Sequence, residues 1–229
     1  MKIGVFGDSF ASPSELNPSP NWLDILSTDY NITNYALQGS NLYFSVDLIK
    51  KNHLEYDKII LVVTSPGRLK IANWIPVDRP EDRFITSITD YRFLNKNYDT
   101  ITASYLEAGN QYYTYLQDIT YDSYIHNLMI KDVCSLRSDI ILIPAFLDSL
   151  LDVKGYSMHH IFLKENTAWN LDWKATISQF TDVRNCHMIS ENNQIFATKA
   201  KEWIDGKPVH IDLNDFVTTT NKDFYLKQK

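Results

Sequence analysis

Ser9 is the residue of this chain whose type and position first suggest chemistry. It follows a short apolar run, Lys2-Ile3-Gly4-Val5-Phe6, by way of Gly7 and Asp8. A run of that length reads as a buried strand, and it delivers the serine to the C-terminal edge of a sheet. In open α/β sheets that edge is where ligands bind. A serine hydroxyl is a weak nucleophile until a base takes its proton, so a histidine must stand beside it. The sequence offers His53, His126, His159, His160, His187 and His210. The adjacent pair His159-His160 is a poor metal signal, because neighbours on a strand point to opposite faces.

The elements that would position these groups follow from the apolar pattern. Strands are expected at 2–6, 32–36, 57–64 and 138–145. The third and fourth are near-continuous Ile/Leu/Val runs, the mark of strands covered on both faces. Helices are expected from Trp22 to Leu26 and over 41–54. This alternation argues for parallel βαβ units joined by right-handed crossovers, giving a three-layer αβα sandwich. The stretch 68–137 is too long for a simple crossover. It reads as an insertion on or beside the active edge, with helices near 99–117 and 119–135. Further along, 159–163 reads as a short strand. Segment 189–205 has Ile189, Ile195, Phe196, Ala200 and Trp203 on a helical period, and Ser190-Glu191 suits its start. Val209 to Leu213 alternates, as an edge strand would. The last residues, with Lys222, Lys227 and Lys229, read as a frayed tail. Trp22 and Trp203 are expected in the core.

Composition narrows the function classes. The chain has 229 residues, enough for one large α/β domain, 1–229, carrying that insertion. Its formal charge of −6 lacks the Lys/Arg excess that nucleic-acid binding needs. Cys134 and Cys186 fit no zinc spacing and are too few for a disulfide framework. They read as buried thiols, with one disulfide as the lesser alternative. No apolar run reaches membrane-spanning length, and Asp8 and Ser9 interrupt any leader-like apolar region. A cytoplasmic or otherwise soluble protein without a signal peptide is the expectation.

The tetrapeptide Gly7-Asp8-Ser9-Phe10, directly after the first strand, resembles the nucleophile block of the SGNH (GDSL-type) esterases and lipases. Asn34-Tyr35-Ala36-Leu37-Gln38-Gly39-Ser40-Asn41 resembles that family's second block. The resemblance implies a mainly parallel, flavodoxin-like sheet, a Ser9 nucleophile, and an oxyanion hole built on the Ser9 and Gly39 N–H groups. In this family the base sits in a late Asp-x-x-His block before a closing helix, and His187 holds that place in chain order. The spacing departs from the family: Arg184 lies three residues before His187, and Asp182 lies five before it. Asp182 as the orienting carboxylate, or a Ser–His dyad oriented by a backbone carbonyl, both remain open. The family's oxyanion Asn after strand three is absent. Thr64-Ser65-Pro66-Gly67-Arg68 stands there, so Thr64 or Ser65 would supply a hydroxyl donor and Arg68 a charge. Asn41 is a further donor near Gly39.

What the resemblance implies is acyl-ester hydrolysis without metal or organic cofactor, with glycan O-acetyl groups as one substrate class. The displaced acid and missing Asn leave a second expectation: a weak or inactive module of the same fold that binds a glycan or a protein. Rival folds with the same opening fail on their own motifs. The chain has no Gly-x-Gly-x-x-Gly, no Gly-Lys-Ser/Thr and no Gly-x-Ser-x-Gly. Asp8-Ser9-Phe10 also lacks the second Asp of the haloacid dehalogenase phosphatases.

Overall fold

The computed structural model describes residues 1–12, 20–37, 40–70, 84–85, 107–108, 111–146, 158, 188 and 190–217. Within them, β1 (Lys2–Phe6), β2 (Asn31–Asn34), β3 (Lys58–Val63) and β6 (Ile140–Pro144) form one parallel sheet in the order β2-β1-β3-β6. Two short strands, β4 (Leu69–Lys70) and β5 (Phe84–Ile85), make a separate antiparallel pair. The helices are α1 (Trp22–Leu26), α2 (Leu42–Asn52), α3 (Ile119–Leu136) and α4 (Ser190–Ile204). No helix among the described residues is long and apolar enough to cross a membrane.

The two faces of the sheet are read off β3 with a period of two. Ile60 and Val62 enter one core with Ile3 and Val5, against Trp22, Leu26, Phe196 and Ala200 of α1 and α4. Ile59, Leu61 and Val63 enter the other with Phe6, against Leu42, Val46, Ile49, Ile130 and Val133 of α2 and α3. The molecule is therefore three layers, and the apolar run of β3 is buried on both sides.

The strand order explains which helix lies where. The connection β1-α1-β2 moves one way across the sheet, while β2-α2-β3 and the connection through α3 to β6 move the other way. Right-handed crossovers then force α1 onto one face and α2 and α3 onto the opposite face. The chain reverses direction between β1 and β3. Such a reversal opens a crevice at the C-terminal ends of the two strands.

Pro144 ends β6 without cost to the ladder. The next residue, Ala145, donates its N–H to Val63 O at 2.9 Å. Alternate N–H groups of a strand point to opposite sides, so the missing N–H of Pro144 faces away from β3. Residues 209–213 differ from the strand expected there. They run extended without a ladder, and a 3-10 turn follows at Leu213–Asp215. Ile211 is buried and Val209 partly buried against the α1/α4 core, while His210 is exposed. Docking on a helix gives the same in-out alternation as docking on a strand. The expected 159–163 strand lies outside the described residues.

Candidate functional site

Gly7 makes the sharp exit from β1 possible. Its φ is +153°, and a Cβ there would sit 2.7 Å from Val62 Cβ and 2.8 Å from Val62 O. Only glycine allows the chain to leave β1 this close to β3. The Gly7 carbonyl accepts from Leu37 N (3.0 Å) and from Ser40 Oγ (2.9 Å). The segment that contains position 39 is thus tied at both flanks to the residue two before Ser9.

Asp8, fully buried, caps the turn that follows. Its Oδ1 accepts from Phe10 N at 3.1 Å, and its carbonyl accepts from Ala11 N and Ser12 N. A serine here would be expected to do this capping itself. Because Asp8 does it, Ser9 carries no such duty. Ser9 is half-buried, and neither its N–H nor its hydroxyl has a hydrogen-bond partner among the described residues.

Beyond β3, the Thr64 carbonyl accepts from His126 Nε2 of α3 at 2.8 Å. A carbonyl can only accept, so this nitrogen carries the proton. His126 is itself buried, and it holds the start of the loop that leads to Arg68. Arg68 Nη1 donates to Ser40 O at 2.9 Å and lies 3.1 Å from Asp8 Oδ2. Its Cζ stands 5.1 Å from the centre of the Phe146 ring. Arg68 therefore ties together the exits of β1, β2, β3 and β6. Two buried oxygens at this edge, Asp8 Oδ2 and Thr64 Oγ1, take no aligned hydrogen bond among the described residues. Asp8 Oδ2 has the Arg68 charge as compensation; Thr64 Oγ1 has none. A buried hydroxyl left unpaired costs roughly 1–3 kcal/mol.

A second set of contacts runs from Phe10 to the last helix. Trp22 Nε1 donates to Phe10 O at 2.8 Å. Trp22 N donates to Asn193 Oδ1 at 2.9 Å, and Asn193 Nδ2 donates to Met188 O at 2.7 Å. The residue after Ser9 and the residue after His187 are thus joined by three buried hydrogen bonds. Asn21 helps to hold Trp22 there, since it closes a capping box with Asp24 at the start of α1. Trp22 also meets Phe196 edge-on, with ring centroids 5.3 Å apart.

The described residues bring Ser9, Thr64, Ser65, Arg68 and Asn41 to the C-terminal edge. Asn41 is the N-cap of α2, where its Oδ1 accepts from Phe44 N at 3.1 Å. Its oxygen is committed, so only Nδ2 is left as a donor. Ser65 is half-buried. Gly39, Asp182 and His187 lie outside the described residues, and Cys186 does too. Cys134 is a free, half-buried thiol whose pKa is raised by burial. Sequence reasoning assigned no role to Asp8, His126 or Asn193. Asn192 and Asn193 did leave a signal, since two polar residues interrupt the apolar face of a helix that is otherwise regular.

No family model matches the chain, and no curated protein matches it. Among solved structures it is similar to a lipase/acylhydrolase from Enterococcus faecalis, at 14% identity and a TM-score of 0.39. That match covers 92% of this chain and 99% of that one. It is also similar to a member of the lipolytic protein G-D-S-L family from Veillonella parvula DSM 2008, at 14% identity and a TM-score of 0.33. There the match covers 88% of this chain and 96% of that one.

Proposed function

We propose that this protein is a serine esterase of the SGNH kind, with Ser9 as nucleophile and His187 as its base. The observation that carries this reading is the buried relay Phe10 O–Trp22–Asn193–Met188 O. It couples the chain beside Ser9 to the chain beside His187, although 178 positions separate the two residues in the sequence, from 187 − 9. A helix-capping serine would have no need of such coupling. That Asp8 has taken over the cap, leaving the Ser9 hydroxyl without a partner among the described residues, supports the same reading.

In this mechanism Ser9 Oγ attacks the acyl carbon as His187 takes its proton. The oxygen of the tetrahedral intermediate is held by N–H groups of Ser9 and Gly39. His187 then returns the proton to the leaving alcohol, and water repeats the cycle on the acyl-enzyme. Asp182 orients the imidazole, or a backbone carbonyl does so in a dyad. Asn41 Nδ2 and a hydroxyl of Thr64 or Ser65 stand in for the missing Asn donor. One such donor is worth about 3–4 kcal/mol in the transition state, so turnover should be slow where it is imperfect. No metal or organic cofactor enters. Glycan O-acetyl esters are the substrate class proposed for this site.

Ser9→Ala and His187→Ala should each lower kcat on 4-nitrophenyl acetate by about a thousandfold or more. Asp182→Ala should cost less, and no loss at all would make the site a dyad. Full activity in Ser9→Ala would end the assignment. The binding-module reading is favoured by one observation: the Thr64 hydroxyl, one of the two candidates to replace the missing Asn donor, is buried. It predicts no turnover in the wild type.

A further inference from the structure

Arg68 and Arg137 use their guanidinium groups differently, and the difference points to a ligand. Arg137 precedes β6, where its Nε and Nη2 grip Asp139 at 2.8 and 2.6 Å while Nη1 reaches backbone carbonyls. Arg68 likewise directs Nη1 to a carbonyl, that of Ser40, and sets it beside Asp8. Its Nε/Nη2 edge, however, has no partner among the described residues, although only 10% of the side chain is exposed. That edge is the one that takes a carboxylate in two parallel hydrogen bonds.

Asp8 Oδ2 and Thr64 Oγ1 are the sealed, unpaired side-chain atoms among the described residues, so the Nε/Nη2 edge of Arg68 is not closed off and is open to a ligand. Arg68 is also held in place for such a role. The Asp8 carboxylate, the Ser40 carbonyl and the Phe146 ring fix its plane from three directions. It stands at the sheet edge, bonded directly to Ser40 O and paired with Asp8, the neighbour of Ser9.

We propose that the Nε/Nη2 fork of Arg68 binds a carboxylate of the substrate, so that the preferred esters are anionic. The ester half of this statement rests on the serine-esterase reading; the carboxylate site does not. A singly charged carboxylate fits better than a phosphate. Asp8 already balances the Arg68 charge, and a dianion would be repelled by Asp8 at short range.

In the O-acetyl esters proposed above the carboxylate belongs to the alcohol half, and two substrate pairs test this against a carboxylate on the acyl half, which would replace acetyl as the acyl group. Mono-(4-nitrophenyl) glutarate is compared with 4-nitrophenyl butyrate, and 4-acetoxybenzoate with phenyl acetate. The wild type should favour the anionic member of one pair by about tenfold or more in kcat/KM. The pair that shows the preference identifies the half. Arg68→Lys keeps a cation for Asp8 but loses the fork. The double variant Asp8→Asn/Arg68→Gln removes both charges, so no buried carboxylate is left bare. In both, the anionic-to-neutral ratio should fall by about tenfold or more.

Calorimetric titration of Ser9→Ala with glutarate and with benzoate reads the site without turnover. One of the two should bind, and Arg68→Lys in that background should weaken it by about tenfold. Carboxylate binding without ester turnover would leave the fork standing and sink the esterase reading. Ester turnover with no anionic preference, or binding of neither acid, would overturn the carboxylate site.

Discussion

Each edge of the sheet carries one largely buried arginine beside an aspartate, and the two edges treat their polar groups in opposite ways. At the N-terminal edge, Arg137 donates to His53 O, Tyr56 O, Asp57 O and both oxygens of Asp139. Asp57 in turn pins the start of β1 through Lys2 N at 2.7 Å. The starts of β1, β3 and β6 are joined there through the side chains of Asp57 and Arg137, and β2 starts on a backbone bond from Asn31 N to Met1 O. At the C-terminal edge Arg68 ties the exits of β1, β2, β3 and β6 together, yet Asp8 Oδ2 and Thr64 Oγ1 are sealed without aligned hydrogen bonds, and Ser9 is left unbonded among the described residues. Native interiors rarely leave buried polar atoms unpaired, and each such atom calls for a cause: strain, a catalytic role, or a bound water or ion. One edge is built to hold; the other holds while keeping groups unsatisfied.

Arg137→Ala should break the first edge. Its removal strands three carbonyls and Asp139, and a loss of about 3 kcal/mol is expected in urea unfolding. Esterase turnover per folded molecule should change little, since the change lies at the far end of the strands. A loss of turnover larger than the loss of folded protein would mean that the two edges are not separable.

Thr64→Val tests the other edge with the opposite sign. It keeps the shape and removes an unpaired buried hydroxyl, so stability should hold or rise by up to about 1 kcal/mol. If that hydroxyl serves the oxyanion, kcat on an aryl acetate should fall by about a hundredfold at the same time. Unchanged kcat would pass the role to Ser65, and Ser65→Ala then becomes the decisive variant. A clear loss of stability in Thr64→Val would mean that the hydroxyl is bonded in solution.

The smallest effect concerns pH. The Tyr30 hydroxyl, just before β2, donates to Asp205 at 3.0 Å; burial first, then that bond, pushes its pKa up to about 12. Its folded pKa lies above the unfolded value of about 10, so its contribution is complete below pH 10 and is lost as pH rises towards 12. Asp139 has the opposite sign. Its hydrogen bond from Arg137 holds its pKa below the usual carboxylate range. Its contribution is complete above pH ~4 and fades as pH falls through the lowered value. These two groups therefore add slope only outside these limits, and Tyr30→Phe should make the alkaline limb shallower without removing it, because the Tyr35 hydroxyl bonded to Tyr56 also has its pKa pushed up to about 12. An alkaline limb identical in Tyr30→Phe would remove Tyr30 from the account.

The sheet was largely legible in the sequence because β1, β3 and β6 are unbroken apolar runs, and two-sided burial leaves no other solution for them. The helices α1, α2, α3 and α4 followed from apolar patterning, and α4 also from Ser190-Glu191 at its start; the caps Asn21 and Asn41 emerge only in the structure. The segment 209–213 was read as a strand because an alternating pattern reports which side chains are buried, not what they are buried against. The place of Ser9 at the C-terminal edge of the sheet was legible from the strand and Gly7 before it. The relay through Trp22 and Asn193 was not, because it joins residues 171 positions apart and leaves no local pattern. Nor could spacing reveal that Asp8 caps the turn in place of Ser9, or that Arg68 reaches back to Asp8 and Ser40.

The central claim is that the unsatisfied edge holds a serine activated for acyl transfer. Its most direct measurement is labelling of the folded protein with a fluorophosphonate, followed by peptide mapping. The account predicts one phosphonyl adduct, on Ser9 within the peptide that carries Gly7-Asp8-Ser9-Phe10, lost in His187→Ala. An unlabelled Ser9, or an adduct on another serine that survives in Ser9→Ala, would contradict it.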